Sequence, residues 1–255
     1  MYHNHSHGWI TRLKQIAIIT MVPTVIHSLI ENSILRQAQD NGAVVFQIID
    51  LREYGKGNYH QVDDAPFGGG SGMVMMAEPL LMAIDDAFLQ IGGSKDETRV
   101  LFPAAQGTVW NHDLALENSN IETLIIVCGR YKGIDQRVID KYATHEYSLG
   151  DYIVSNGELS GMVIIDSIVR LIPGALNSLD SAMSDSFAKG LLDHPHYTRP
   201  RKVGGMSVPD ILLSGNHESI DSWRRKQSEK STREKRPDIW KKYQQSLVEL
   251  ENDNE

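Results

Sequence analysis

The chain has 255 residues, 41% hydrophobic and 23% charged, with a net charge of −8 at pH 7 and one cysteine. That suits one large globular domain or two modest ones. It argues against a membrane-spanning chain, whose apolar runs would be longer and unbroken, a disulfide scaffold, and a protein that coats nucleic acid through overall charge.

Residues 1–14, opening MYHNHSHG, are polar and His-rich. They read as a flexible extension, native or introduced, without the apolar core of a signal peptide. Gln15–Thr20 (QIAIIT) is a short run of the buried-strand kind. Pro23 sits where a first helical turn tolerates it, and Ile26, Leu29, Ile30 and Ile34 follow at helical spacing, so one helix is predicted before Gly42. AVVFQII (43–49) reads as a second strand. Glu78-Pro79 opens a helix with Leu80, Leu81, Ile84 and Phe88 on one side, and Arg99–Phe102 and Thr123–Cys128 are further strands. Cys128 reads as a small buried hydrophobe at a strand end rather than a nucleophile, and a lone cysteine fits a reducing, cytoplasmic setting. A helix starting near Glu158 carries Leu159, Met162, Val163 and Val169 and ends before Pro173-Gly174. Strands alternating with helices predict an α/β domain over 15–174, a mostly parallel sheet with helices on both faces.

Residues 175–184 are small and polar, without sustained periodicity, and read as a linker. Beyond it no strand is predicted. Ile220 and Trp223 share one helical face, and Ile239, Trp240, Tyr243 and Leu247 another that begins at Pro237, which predicts a small all-helical domain over 185–255 with a frayed acidic tail. Asp221 to Lys242 holds nine Lys/Arg against four acids, with Arg199, Arg201 and Lys202 upstream. A solvated helix face could carry as much. Beside a transferase site, phosphate binding is the better reading.

Glycine punctuates the candidate site. DDAPFGGGSGMVM (63–75) is neither a GxGxxG fingerprint nor a phosphate loop with Lys-Ser/Thr, which disfavours a dehydrogenase and an ATPase. Glycines 129, 133, 150, 157 and 161 cluster around two further loops. Such loops at strand ends are where α/β proteins bind ligands, although any one glycine could serve a turn alone. DHPHYTRP offers Asp193, His194 and His196, but the spacing is loose and no second ligand group is evident, so no protein-ligated metal is assigned.

Five blocks occur in order: DDAPFGGGSGMVM, CGRYKGID, SLGDYIVSNGELSG, SDSFAKGLLDHPHYTRP and LLSGNHESIDSWR. Together, across Ile16 to Arg236, they resemble the bacterial tRNA (guanine-N1)-methyltransferase (TrmD) family of the SPOUT class. The resemblance implies a deep trefoil knot that binds S-adenosylmethionine, and a homodimer acting on tRNA at a guanosine just 3′ of the anticodon. Magnesium would act, if at all, without a dedicated protein site. Three segments would hold the cofactor: Phe102, Pro103, Ala104, Gln106 and Gly107; Gly129, Arg130, Tyr131 and Gly133; Leu149, Gly150, Asp151, Tyr152, Ile153, Val154 and Gly157. Asp63, Ser71, Gly72, Arg199, His217 and Arg224 would meet RNA.

Methylation at N1 requires an acceptor for the proton on that nitrogen, at roughly 3 Å in the reactive complex. Asp185 matches the family's general base, and Arg170 the group that offsets charge developing on guanine O6. On their own they would read as an N-cap and a helix-end ion pair. Because Asp185 follows the linker, the linker is expected to order only when cofactor and RNA are both bound. Three departures stand out: Lys132 where many members carry glutamate, Asn156 for a glycine of the usual SGGEL, and PAAQG at 103–107. A lysine beside a sulfonium would forfeit a favourable charge interaction unless it faces solvent or RNA. The rivals are a SPOUT methyltransferase with another RNA target and a non-catalytic RNA-binding homologue.

Overall fold

The computed structural model describes residues 14–176 and 184–252, so most of the expected linker and all but one residue of the N-terminal extension lie outside the described residues. The chain divides into two compact units, Met1–Leu179 and Asp180–Glu255.

The first unit is built on five strands in the order β2-β1-β6-β5-β7, every neighbouring pair parallel. They are β1 (Lys14–Thr20), β2 (Val44–Asp50), β5 (Thr98–Val109), β6 (Thr123–Val127) and β7 (His145–Ser148). Side chains alternate across the sheet, and both faces are covered. Ile16 and Ile18 of β1 and Leu124 and Ile126 of β6 face α1 (Pro23–Ile30), α2 (Ser33–Asp40) and α6 (Gly157–Val169). Ala17, Ile19, Ile125 and Val127 face α3 (Ala77–Ile91) and α5 (Gln136–Tyr142).

Several elements differ from the sequence reading. The helix expected from Pro23 is two helices, because Asn32 turns extended and Ser33, the first residue of α2, takes a φ of 54°. β5 runs beyond Phe102, since Pro103 and Thr108 both pair with Tyr147 and the residues between them bulge outward. β7 (HEYS), α4 (His112–Ser119) and α5 carry too little apolar periodicity to be foreseen, and their neighbours impose them. β1 starts at Lys14, one residue inside the expected extension. Its buried Nζ donates to the carbonyls of Asn118 (2.8 Å), Ser119 (3.0 Å) and Ile121 at the end of α4. Burial, helped by the charge of Arg99 and opposed by Glu122, lowers its pKa to about 7.

The second unit holds α7 (His217–Lys235) and α8 (Pro237–Asn252). It is not purely helical, because β8 (Lys202–Val203) and β9 (Met206–Ser207) form a short antiparallel ribbon. No sustained apolar alternation announces so short a pair. Asn216 caps α7, its side chain accepting from Ser219 N–H at 3.1 Å. Buried Thr232 accepts from Leu192 N–H at 2.8 Å, tying the 184–200 segment to that helix.

Candidate active site

At the carboxyl ends of β5, β6 and β7 lies a cavity of about 410 Å³, within the range that encloses a small ligand. The β5 bulge, the loop after β6 and the 149–157 loop form its walls. Close backbone contact joins them. Gly157 N–H donates to Gly129 C=O at 2.8 Å, and a Cβ on Gly157 would fall 2.5 Å from the Gly129 backbone. A Cβ on Gly107 would fall 2.4 Å from the Glu146–Tyr147 peptide. At both positions only glycine lets the segments close.

Of the expected cofactor residues, Phe102, Pro103, Ala104 and Gln106 line the cavity from β5, and Gly129, Arg130, Tyr131 and Gly133 from the loop after β6. Leu149, Gly150, Tyr152, Ile153, Val154 and Gly157 line the third side. Gly107 and Asp151 do not line it; Gly107 is turned onto β7, and Asp151 is exposed. The sequence reading did not place Ile134, Glu146 or Ser148 in this lining, while Lys132 and Asn156, noted as departures from the family pattern, both belong to it. Glu146 and Ser148 belong to the unforeseen β7, and Gln106 Nε2 donates to Glu146 Oε1 at 2.6 Å. Asn156 lies in extended backbone with φ of −159°, so the position makes no demand for glycine, and its side chain accepts from Leu159 N–H at the start of α6.

Charge at the site is held internally. Glu158, fully buried, accepts from Thr20 Oγ1 at 2.7 Å and pairs with Arg130 Nε at 3.2 Å. Burial, reinforced by the Glu158 carboxylate, pushes the Cys128 thiol well up, so it stays protonated and is no nucleophile at neutral pH. Apolar Leu149, Ile153 and Val154 with backbone polar groups suit a nucleoside, while the Glu146 carboxylate and the Lys132 ammonium bring opposite charges to the same lining.

The remaining site residues are distributed over both units. Asp63 lies in β3 (Asp63–Asp64), paired with β4 (Val74–Met75), while Ser71 and Gly72 are exposed in the loop between. Arg170, partly buried, ends α6 with its N–H on Asp166 C=O. Asp185 belongs to the second unit, where its carbonyl accepts from Ala188 N–H at 3.3 Å. Within that unit Arg199 and Arg224 line a second cavity of about 370 Å³, together with His194, His196, Tyr197 and Arg201, over a floor that includes Leu212 and Ile220. His217, the first residue of α7, is exposed and outside that lining.

The segment around His194 is tighter than its spacing implied. One ligand atom each from Asp193, His194 and His196 lies within 4.8 Å of the others, and His196 Nε2 is 2.8 Å from Asp193 Oδ2. Burial alone would raise the Asp193 carboxyl; the bond with His196, the His194 N–H and the two imidazole charges outweigh it and hold the carboxyl below its usual range. Three guanidinium groups share the cavity, an environment that favours phosphate over a dication.

The family described as tRNA (guanine-1)-methyltransferase TrmD matches residues 14–242, spanning both units. The chain belongs to this family. Among curated members, the tRNA (guanine-N(1)-)-methyltransferase of Listeria monocytogenes serovar 1/2a is 44% identical over 231 residues, covering 90% of this chain and 93% of the relative. The Anoxybacillus flavithermus protein of the same name is 43% identical over 230 residues, with the same coverage. The Moorella thermoacetica protein, again so named, is 43% identical over 225 residues, 88% of this chain and 89% of the relative. Identity at that level over nearly the whole length carries the family's α/β fold with it.

Proposed function

We propose that this chain is a tRNA (guanine-N1)-methyltransferase that modifies the guanosine immediately 3′ of the anticodon, with S-adenosylmethionine as donor. The observation that carries the reading is the match of one family across 14–242, which includes both the strand-end cavity and the arginine-lined cavity of the second unit.

S-adenosylmethionine, when bound, supplies an electrophilic methyl group. The three cavity segments hold its nucleoside, with Leu149, Ile153 and Val154 against the base and backbone groups on its polar edge. Asp185 accepts the N1 proton, and the Arg170 guanidinium offsets the negative charge left on O6. Asp63, Ser71 and Gly72 face the RNA on one side, and Arg199, His217 and Arg224 grip it from the helical unit, where arginines meet phosphates and Tyr197 offers a stacking face. The SPOUT knot and a homodimer belong to the same reading. Backbone contact between the cavity segments supports the first. Leu159 and Val163 support the second: they sit one turn apart on α6 and are 45% and 51% exposed, and Ile153 is 84% exposed. The same reading takes the cytoplasm, where tRNA is modified, as the enzyme's setting, and gives magnesium no dedicated protein site.

The test is transfer of labelled methyl to unmodified tRNA transcripts carrying G or A after the anticodon. Wild type should label the G transcript alone. Asp185→Ala should be slower by about a thousandfold with cofactor binding retained. Label on the A transcript, or on other RNA instead, would move the target elsewhere; cofactor binding without transfer to any RNA would favour a non-catalytic homologue.

A further inference from the structure

The glycine-rich segment and the loop after β6 are sewn together. Lys132 N–H donates to Met73 C=O, Met75 N–H to Gly133 C=O and Asp135 N–H to Met75 C=O, each at 3.0 Å, and Arg130 N–H meets Met75 Sδ at 3.1 Å. Across this seam the Lys132 stem lies against Gly72. A Cβ on Gly72 would meet Lys132 Cγ at 2.9 Å, Cε at 3.3 Å and Cδ at 3.7 Å. These distances set the Lys132 stem beside Gly72, and Lys132 itself lines the strand-end cavity.

Charge on this side of the cavity is otherwise unfavourable to RNA. The segment 63–75 contains two aspartates and no lysine or arginine. Of the nearby cations, Arg130 is engaged by Glu158 at 3.2 Å and Arg137 by Asp135 at 2.7 Å. Lys132 is exposed and has no carboxylate partner among the described residues. Lys132 N–H bonds Met73 on the segment whose β4 pairs with Asp63 and Asp64, so an ammonium without a carboxylate partner on this side can offset the repulsion those acids exert on phosphate.

We infer that Lys132 is a substrate-binding residue of this chain, gripping a backbone phosphate beside the target guanosine, with Gly72 as the track that aims it. The inference rests on the tRNA methyltransferase reading. Lys132→Met keeps the stem over Gly72 and removes the charge; Lys132→Arg restores a cation. In steady-state methyl transfer, Lys132→Met should raise KM for tRNA about fivefold at 0.1 M salt and reduce the slope of log kcat/KM against log salt by about 0.7 to 0.9. Affinity for S-adenosylmethionine should not change, and the arginine variant should recover both tRNA readouts. An unchanged KM and slope would overturn the inference. So would weakened cofactor binding at an unchanged tRNA KM, which would place the ammonium on the cofactor's carboxylate. Were wild type inactive on every tRNA, the methyltransferase reading would fail by itself, and tRNA retention on filters across salt would still decide the lysine by the same change of slope.

Discussion

Ile16, Ile18, Ile125, Ile126 and Val127 in the sheet unit are wholly shielded from solvent, packed between helices on both faces. In the helical unit Ile220 is the one buried hydrophobic residue among those described, and Thr232 anchors its neighbour through a hydroxyl. The contrast is also one of binding chemistry. A dense core can press glycine backbones together until they shape a cavity. Helices with a thin core and many cations can offer charge and aromatic faces, but not a tightly moulded pocket.

Substitutions can test that contrast, beginning in the core. Ile126→Ala should cost about 4 kcal/mol, by lost transfer free energy plus a cavity that cannot collapse, whereas Ile220→Ala should cost about 2 kcal/mol. Calorimetry of the two variants would show which transition each one lowers; equal losses would erase the distinction. Gly157→Ala comes next, since its Cβ must displace the Gly129 backbone from 2.5 Å. It should destabilise by about 2 kcal/mol, and titration calorimetry should find S-adenosylmethionine binding weakened at least tenfold.

Lys14 gives the contrast a pH signature. Its folded pKa of about 7 lies below the ordinary 10.5, so between those values the unfolded chain holds a proton that the fold has shed. Stability from this group therefore rises with pH across that window and is flat below it. Urea unfolding at pH 7 and pH 9 should show that rise in wild type, and Lys14→Met should lose it. The smallest effect belongs to Arg224→Ala on α7. Stability should move by less than about 0.5 kcal/mol, while tRNA affinity falls about threefold and its salt slope by about one. A large loss of stability there would mean that the second unit depends on its cations for shape.

How far the sequence could be read depended on burial. β1, β6 and α3 are buried along a whole face, and their apolar runs announce them. β7 is four residues, HEYS, half of them only partly buried, so Glu146 and Ser148 went unseen with it. The β5 bulge reads as a loop in the sequence, because only pairing with Tyr147 shows that the strand resumes. Of the four apolar residues that mark α6 in the sequence, Met162 and Val169 are buried, whereas Leu159 and Val163 face outward. Asp193, His194 and His196 are loosely spaced in the sequence, and in the structure one ligand atom of each lies within 4.8 Å of the others.

The sequence by itself determined the class of fold, the two-part organisation of charge and the family, because periodicity, composition and ordered motifs are written along the chain. Tertiary structure alone decided which residues share a cavity, why Gly107 and Gly157 must lack a Cβ, and that the Lys132 stem lies beside Gly72. Those properties depend on distances between segments far apart in sequence, and only packing sets such distances.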